Sequence, residues 1–133
     1  YLLQEKKLNI DSLKGCLKFK QECENSKKKL RSMILSILKK NKSIAGYAAT
    51  SKSTTILNYC GINSKHIDFI CDTTKNKIGK YTPKTHIPIV DVNYFRKNIP
   101  DYTFLFAWNH KDEIFKKEKK ILKKTKWIAH IKI

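Results

Sequence analysis

The residues best placed to do chemistry gather around one turn. Gly46, Tyr47, Ala48, Ala49, Thr50, Ser51, Lys52 and Ser53 end a short apolar run and open a helical pattern. A strand-to-helix turn of small, hydroxyl-bearing residues aims backbone N–H groups outward, where they can meet phosphate oxygens. The turn is a degenerate form of the dinucleotide fingerprint: Gly46 holds the first glycine position, and Ala48 and Ser51 stand at the second and third. Asp72, about twenty residues further on at the end of the next predicted strand, takes the place of the ribose-binding acid. On this reading Ala48 to Ser53 cradle a phosphate, Lys52 supplies charge, and the hydroxyls of Thr50, Ser51 and Ser53 supply donors. A purely structural turn is the competing reading, because any tight turn of this kind wants small residues. Side chains at Ala48 and Ser51 would hold a pyrophosphate further off than glycine does, which disfavours a nicotinamide dinucleotide.

Two further groups are candidates for ligand contact. His86 lies with Thr85 between Pro83 and Pro88, which stiffen the backbone ahead of a strand. It is either a ligand-contacting histidine or a loop histidine with structural bonds. Trp108, Asn109 and His110 terminate the most apolar strand, where topology turns a residue toward the ligand crevice, although Trp108 has the alternative of closing the core. Asp112 and Glu113 are explained as caps favoured by a helix dipole. His66 and His130 offer nothing beyond surface or sheet-edge placement. No nucleophile, base and orienting acid assemble from spacing alone, so no catalytic residue is assigned. Cys16, Cys23, Cys60 and Cys71 form no CxxC pair, so metal-ligand spacing is missing and reduced thiols in a cytoplasmic protein are expected.

The elements that must position these residues follow from periodicity. Tyr1 to Ile10 reads as a short extended lead-in. From Asp11, a good N-cap, a helical stripe runs through Leu13, Cys16 and Leu17 and resumes with Leu30, Met33, Ile34, Ile37 and Leu38, giving one long helix or two that end near Asn41. The stripe is expected to be core packing rather than a partner-binding face. Beyond it strands and helices alternate: strand 43–47, helix 53–60 stopped by Gly61, strand 67–71, a Lys-, Thr- and Asn-rich loop, strand 87–90, helix 91–98, strand 102–108, basic helix 112–124 and strand 126–131. Strands separated by helices imply a mostly parallel sheet covered on both faces. The expected fold is therefore α/β, a Rossmann-like three-layer sandwich behind one long or two short N-terminal helices, with 1–42 as lead-in and helix and 43–133 as the sandwich.

Composition narrows the function. At 133 residues, with 41% hydrophobic and 11% aromatic residues, the chain holds one core and is not wholly disordered. No apolar run approaches the roughly twenty residues a bilayer needs. It begins at Tyr1 with no initiator Met and no leader, so it reads as part of something longer. A net charge of +18 suggests nucleic acid, anionic lipid or phosphorylated ligands. Yet all but Arg31 and Arg96 of the 29 basic residues are lysine, whereas base and phosphate readers lean on the arginine fork. Lysine also travels here with Ile and Asn, a mix that a low-GC coding bias produces unaided. A basic nucleic-acid binder stays as the alternative function, with a nicotinamide-cofactor domain behind it.

A resemblance adds to this. Ile44 to Tyr47 with Ala49 and Lys52, the string Leu57 to Ile62 (LNYCGI), Ile67, Asp72, Gly79, Tyr81, Pro83, the string Thr85 to Ile89 (THIPI), Pro100 to Tyr102, and Ala107, Trp108, Asn109 with Asp112 to Ile114 (AWNxxDEI) look like the C-terminal domain of bacterial sugar C-methyltransferases. The resemblance covers Ser43 onward. It departs from the family at Ala48, Ser53 and Lys84, where glycine is usual, and at His110, where an aromatic residue is usual. It implies a parent enzyme that moves a methyl group from S-adenosylmethionine to carbon of a nucleotide-linked deoxysugar. The methyl donor would be held by an upstream domain, so this part would bind the sugar nucleotide without catalysing transfer alone. Lys52, Thr85, His86 and Asn109 keep the family register, which implies ligand contact.

Overall fold

The structure is a computed structural model that describes residues 2–7 and 11–131. Its elements run in the order α1 (Leu2–Lys7), α2 (Leu13–Lys39), β1 (Ile44–Tyr47), α3 (Ser51–Cys60), β2 (Ile70–Asp72), β3 (Ile89–Asp91), α4 (Val92–Lys97), β4 (Tyr102–Leu105), a 3-10 turn (Trp108–His110), α5 (Lys111–Lys117) and β5 (Lys126–Ile128). The five strands pair in the order β3-β2-β1-β4-β5, and every pair is parallel. This is the Rossmann-like α/β arrangement expected of strands that alternate with helices. Strand order reverses between β1 and β4, so the carboxyl ends of those two strands open the crevice in which such sheets bind ligands.

Side chains alternate between the two faces with the period of a strand. Ile44, Ile70, Phe104 and Phe106 pack toward α2 and α3, while Ala45, Tyr47, Cys71, Leu105 and Ala107 join Phe95 and Ile114 on the other face. Gly46 sits between the layers where nothing larger fits: a Cβ would come within 2.7 Å of the Phe106 ring and 2.8 Å of Ile70 Cγ1. Two polar clasps fix the layers. At the amino end of the sheet, the Asp101 carboxylate accepts from the Ser43 N–H at 2.9 Å, from its hydroxyl at 3.0 Å and from Lys42 Nζ at 2.9 Å. These partners, led by the Ser43 N–H, hold its carboxyl down to about 2. On the face opposite α3, Glu118 is 2% exposed and takes Arg96 Nε at 3.0 Å, Arg96 Nη2 at 2.7 Å and the Tyr47 hydroxyl at 2.8 Å. One carboxylate thus ties α4 and β1 to the turn after α5.

Several elements differ from their expected form. The lead-in is helical rather than extended over Leu2–Lys7, in keeping with the strong helix formers of LLQEKK; Tyr1 and residues 8–10 lie outside the described residues. The next helix is single and continuous, about 40 Å long, with Ser12 rather than Asp11 as N-cap. Only its later turns reach the sheet through Leu30, Ile34 and Ile37, while Leu13, Leu17 and Phe19 stand in solvent, so the stripe is core packing over its second half alone. The expected strand 67–71 forms at Ile70–Asp72, after a turn in which the His66 and Ile67 N–H groups donate to the Asn63 carbonyl. β4 stops at Leu105, and the helix expected over 112–124 ends at Lys117, after which Glu118 bends the chain to meet Arg96. Strand 126–131 is likewise shorter, ending at Ile128.

Replacing Glu118 by Ala leaves the Arg96 guanidinium and the Tyr47 phenol without their shared partner. Arg96 is half-exposed and can rehydrate, so the cost is that of the unpaired buried phenol and the lost charged hydrogen bonds, about 1–3 kcal/mol, which urea unfolding monitored by circular dichroism measures directly.

Candidate functional site

The turn between β1 and α3 is built by its neighbours. Ala48 takes φ of 74°, a left-handed conformation that glycine adopts freely and alanine does not, which gives a physical reason for a glycine preference at this position. Asp72, at the end of β2, holds the turn: Oδ2 accepts the Ala49 N–H at 2.8 Å and Lys77 Nζ at 3.3 Å, and Oδ1 accepts the Thr74 N–H at 2.8 Å. Lys77 Nζ also donates to the Ala49 carbonyl at 2.8 Å. Burial works to raise the Asp72 carboxyl, and the Thr74, Lys77 and Ala49 bonds outweigh it, leaving the group below its ordinary range. Thr50 then caps α3, accepting the Ser53 N–H at 3.2 Å, while Ser53 Oγ donates back to the Thr50 carbonyl at 2.6 Å. The N–H groups of Ser51 and Lys52 start the helix without intrahelical partners, as in any helix.

From the first turn of α3, Lys52 reaches across the switch point. Its Nζ donates to Asn109 Oδ1 at 2.8 Å and lies 5.1 Å from the centre of the Trp108 ring. Ser51, Lys52, Thr55, Ile56, Trp108 and His130 line a cleft of about 340 Å³ there. On the other side of the α3 start, a second cleft of similar volume, about 340 Å³, is walled by Thr50, Ser51, Lys77, Lys80, Tyr81 and Thr82. Ser51 borders both clefts. All the charged side chains on the two walls are lysines, so the region around the α3 start is electropositive and suits an anionic ligand.

The expected site residues thus divide. Ser51, Lys52, Trp108 and Asn109 converge on the cleft between β1 and β4. Ala48 and Asp72 shape the turn beneath it. Ser53 is buried, with its hydroxyl bonded to Thr50. Gly46 is enclosed by Phe106 and Ile70, and Tyr47 points to the far face, where burial and Glu118 push its phenol well above the ordinary range. Thr85 is buried against Thr82, its Oγ1 at 2.6 Å from the other hydroxyl, and His86 stands exposed at φ of 50° beside Lys84 at 65°. These two belong to the bend that carries Thr82 into the second cleft. Sequence reasoning did not select His130, Lys77, Lys80 or Tyr81. Lys77 and Lys80 are ordinary members of a lysine-rich loop by sequence; the antiparallel pairing of Tyr81 with Pro88, the bonds between Gly79, Lys80 and Ile89, and the reach of Lys77 to Ala49 fold that loop back over the α3 start. No cluster of three or more His, Cys, Asp or Glu side chains suited to a metal occurs among the described residues, and the four cysteines are free.

Because the folded Asp72 and Asp101 carboxyls sit below the ordinary value near 3.9, their contribution to stability is complete above pH of about 4 and drains away as pH falls through the folded values. The midpoint of thermal unfolding should drop steeply between about pH 4 and 2 in the native chain. Asp72→Asn should be less stable at neutral pH and show a shallower acid slope.

No helix among the described residues is long and apolar enough to cross a membrane. Residues 1–131 match the family model described as C-methyltransferase C-terminal domain. The chain is also 32% identical over 121 residues to the C-methyltransferase NovU of Streptomyces niveus, an alignment covering 91% of this chain and 29% of that protein. It therefore spans under a third of the length of the curated relative it matches. With its parallel Rossmann-like sheet and its match along nearly its whole length, the chain belongs to the C-methyltransferase C-terminal domain family.

Proposed function

We propose that this chain is the sugar-nucleotide-binding domain of an S-adenosylmethionine-dependent C-methyltransferase acting on a nucleotide-linked deoxysugar. The observation that carries the reading is Lys52, held across the β1/β4 switch point by Asn109 and Trp108 above the first turn of α3. An ammonium at that place, beside unpaired helix N–H groups, is suited to the pyrophosphate that joins nucleoside to sugar. The two clefts on either side of Ser51 give the nucleoside and the sugar separate places, with the diphosphate between them.

The residues present do not fit S-adenosylmethionine itself. The acid at the end of β2 that would take a ribose already has both oxygens bonded, to Ala49, Thr74 and Lys77. The lysines around the α3 start would also repel a sulfonium cation. In this proposal the methyl donor and the base that deprotonates the sugar carbon belong to the rest of the longer protein, and this chain binds and orients the acceptor. Such an enzyme would work in the cytoplasm, where both small molecules are made.

Titration with a nucleoside diphosphate-sugar, followed by amide NMR, should move signals of Gly46 to Ser53 and the indole N–H of Trp108. Lys52→Ala should weaken binding by about tenfold, the worth of one hydrogen bond to a charged group. Unmoved amides at millimolar ligand would exclude the reading for this chain.

A further inference from the structure

His130 offers no signal in the sequence, yet it lies on the wall of the switch-point cleft. It follows β5 by two residues and packs edge-to-face on Trp108, ring centres 6.2 Å apart and planes at 70°. Trp108 Nε1 and His130 Nδ1 are both shut away from solvent, and they are the buried side-chain polar atoms without a hydrogen-bond partner among the described residues. Leaving such an atom unpaired is costly, and native proteins rarely do so without a reason. Here two occur on adjoining rings, in a cleft where Lys52 is engaged with Asn109 and Thr55 Oγ1 with the Ser51 carbonyl.

The cleft also has a direction. The ammonium of Lys52 forms a cationic flank, and the indole, the imidazole and Ile56 form an apolar wall with two unmet ring nitrogens buried behind its surface. Burial, with Lys52 nearby, keeps the His130 imidazole below its usual titration range. At neutral pH it is therefore uncharged and offers one donor and one acceptor. An inorganic anion would use only the lysine and the α3 start, and nothing on the aromatic wall. A polyhydroxylated ring joined to a phosphate would use everything: its C–H face against the indole, its hydroxyls toward the two nitrogens, and its phosphate toward Lys52.

We propose that His130 and Trp108 form the sugar-reading wall of this cleft, the indole N–H donating to a sugar oxygen and the imidazole exchanging a hydrogen bond with a neighbouring hydroxyl. The inference rests on the sugar-nucleotide reading above and assigns the sugar to the β1/β4 side, which leaves the Tyr81 side for the nucleoside. Both nitrogens are closed to solvent between the packed rings, so in this proposal the seated sugar parts them: the imidazole turns about Cβ–Cγ to present Nδ1, and its shift uncovers the indole N–H.

Calorimetric titration of the chain with UDP-glucose and dTDP-glucose, each compared with UDP or dTDP alone, separates the possibilities. His130→Ala and Trp108→Phe should each weaken the sugar nucleotides by about tenfold and change the bare diphosphates by less than about twofold, and His130→Gln should recover part of the loss. Amide spectra away from the cleft check that each variant is folded, and Trp108→Phe keeps its ring should His130→Ala unfold. An equal loss on sugar nucleotide and diphosphate, or none on either, overturns the assignment while leaving the sugar-nucleotide reading intact. Failure of the native chain to bind any of the four probes removes that reading and this one with it.

Discussion

The carboxylate of Asp72 is the constraint on which the site depends. It is 6% exposed, and it holds the first free N–H beyond β1, the N–H of Thr74 and the ammonium of Lys77 at one point. Those bonds bring the carboxyl ends of β1 and β2 together and hold Ala48 at a backbone angle that alanine does not choose by itself. From there the chain has one direction in which to continue, and Thr50 caps the helix that results. Lys52 reaches Asn109 because the helix starts where Asp72 lets it start. In a dinucleotide-binding domain an acid at this place is spent on a ribose; in this chain it is spent on the turn.

The close approach of the layers acts in the same direction. Gly46 lets the Phe106 ring lie against β1, and Phe106 leads directly to Ala107, Trp108 and Asn109. The two halves of the cleft are thus set by contacts a few residues away in each strand, one by a carboxylate and one by a missing side chain. On the opposite face Glu118 anchors Tyr47, so β1 is fixed from both sides just before the turn. The large positive charge plays little part in this geometry. Its lysines are distributed along α2, α5, the turns between them and the segment after α5, and a spread of this kind favours solubility more than a nucleic-acid track.

Much of this was legible in the sequence because it rests on local chemistry. Gly61 ends α3 in the left-handed conformation, Asp91 caps α4, and strands alternating with helices can hardly be arranged except in parallel. The strings LNYCGI, THIPI and AWNxxDEI pointed to the right family. Long-range pairing was not legible. Spacing placed Asp72 where a ribose-binding acid would stand, and could not reveal that Ala49 and Lys77 come to it. His130 is one polar residue in a short C-terminal run, and only the β4–β5 pairing carries it to Trp108. The same limit applies to α5: helical spacing and lysine composition continue past Lys117, but the chain there passes into tighter turns, with Glu118 paired to Arg96 from a distant helix. Exposure of Leu13 and Leu17 was likewise invisible, since a hydrophobic stripe looks the same whether or not a sheet lies beneath it.

The central claim is that the β1/β4 switch point of this domain holds the sugar nucleotide. A crystal structure of the chain with UDP-glucose or dTDP-glucose tests it most directly. The account predicts density for the diphosphate beside Ser51 and Lys52, with the hexose against Trp108. Ligand bound elsewhere on the domain, with this cleft occupied only by solvent, would contradict it.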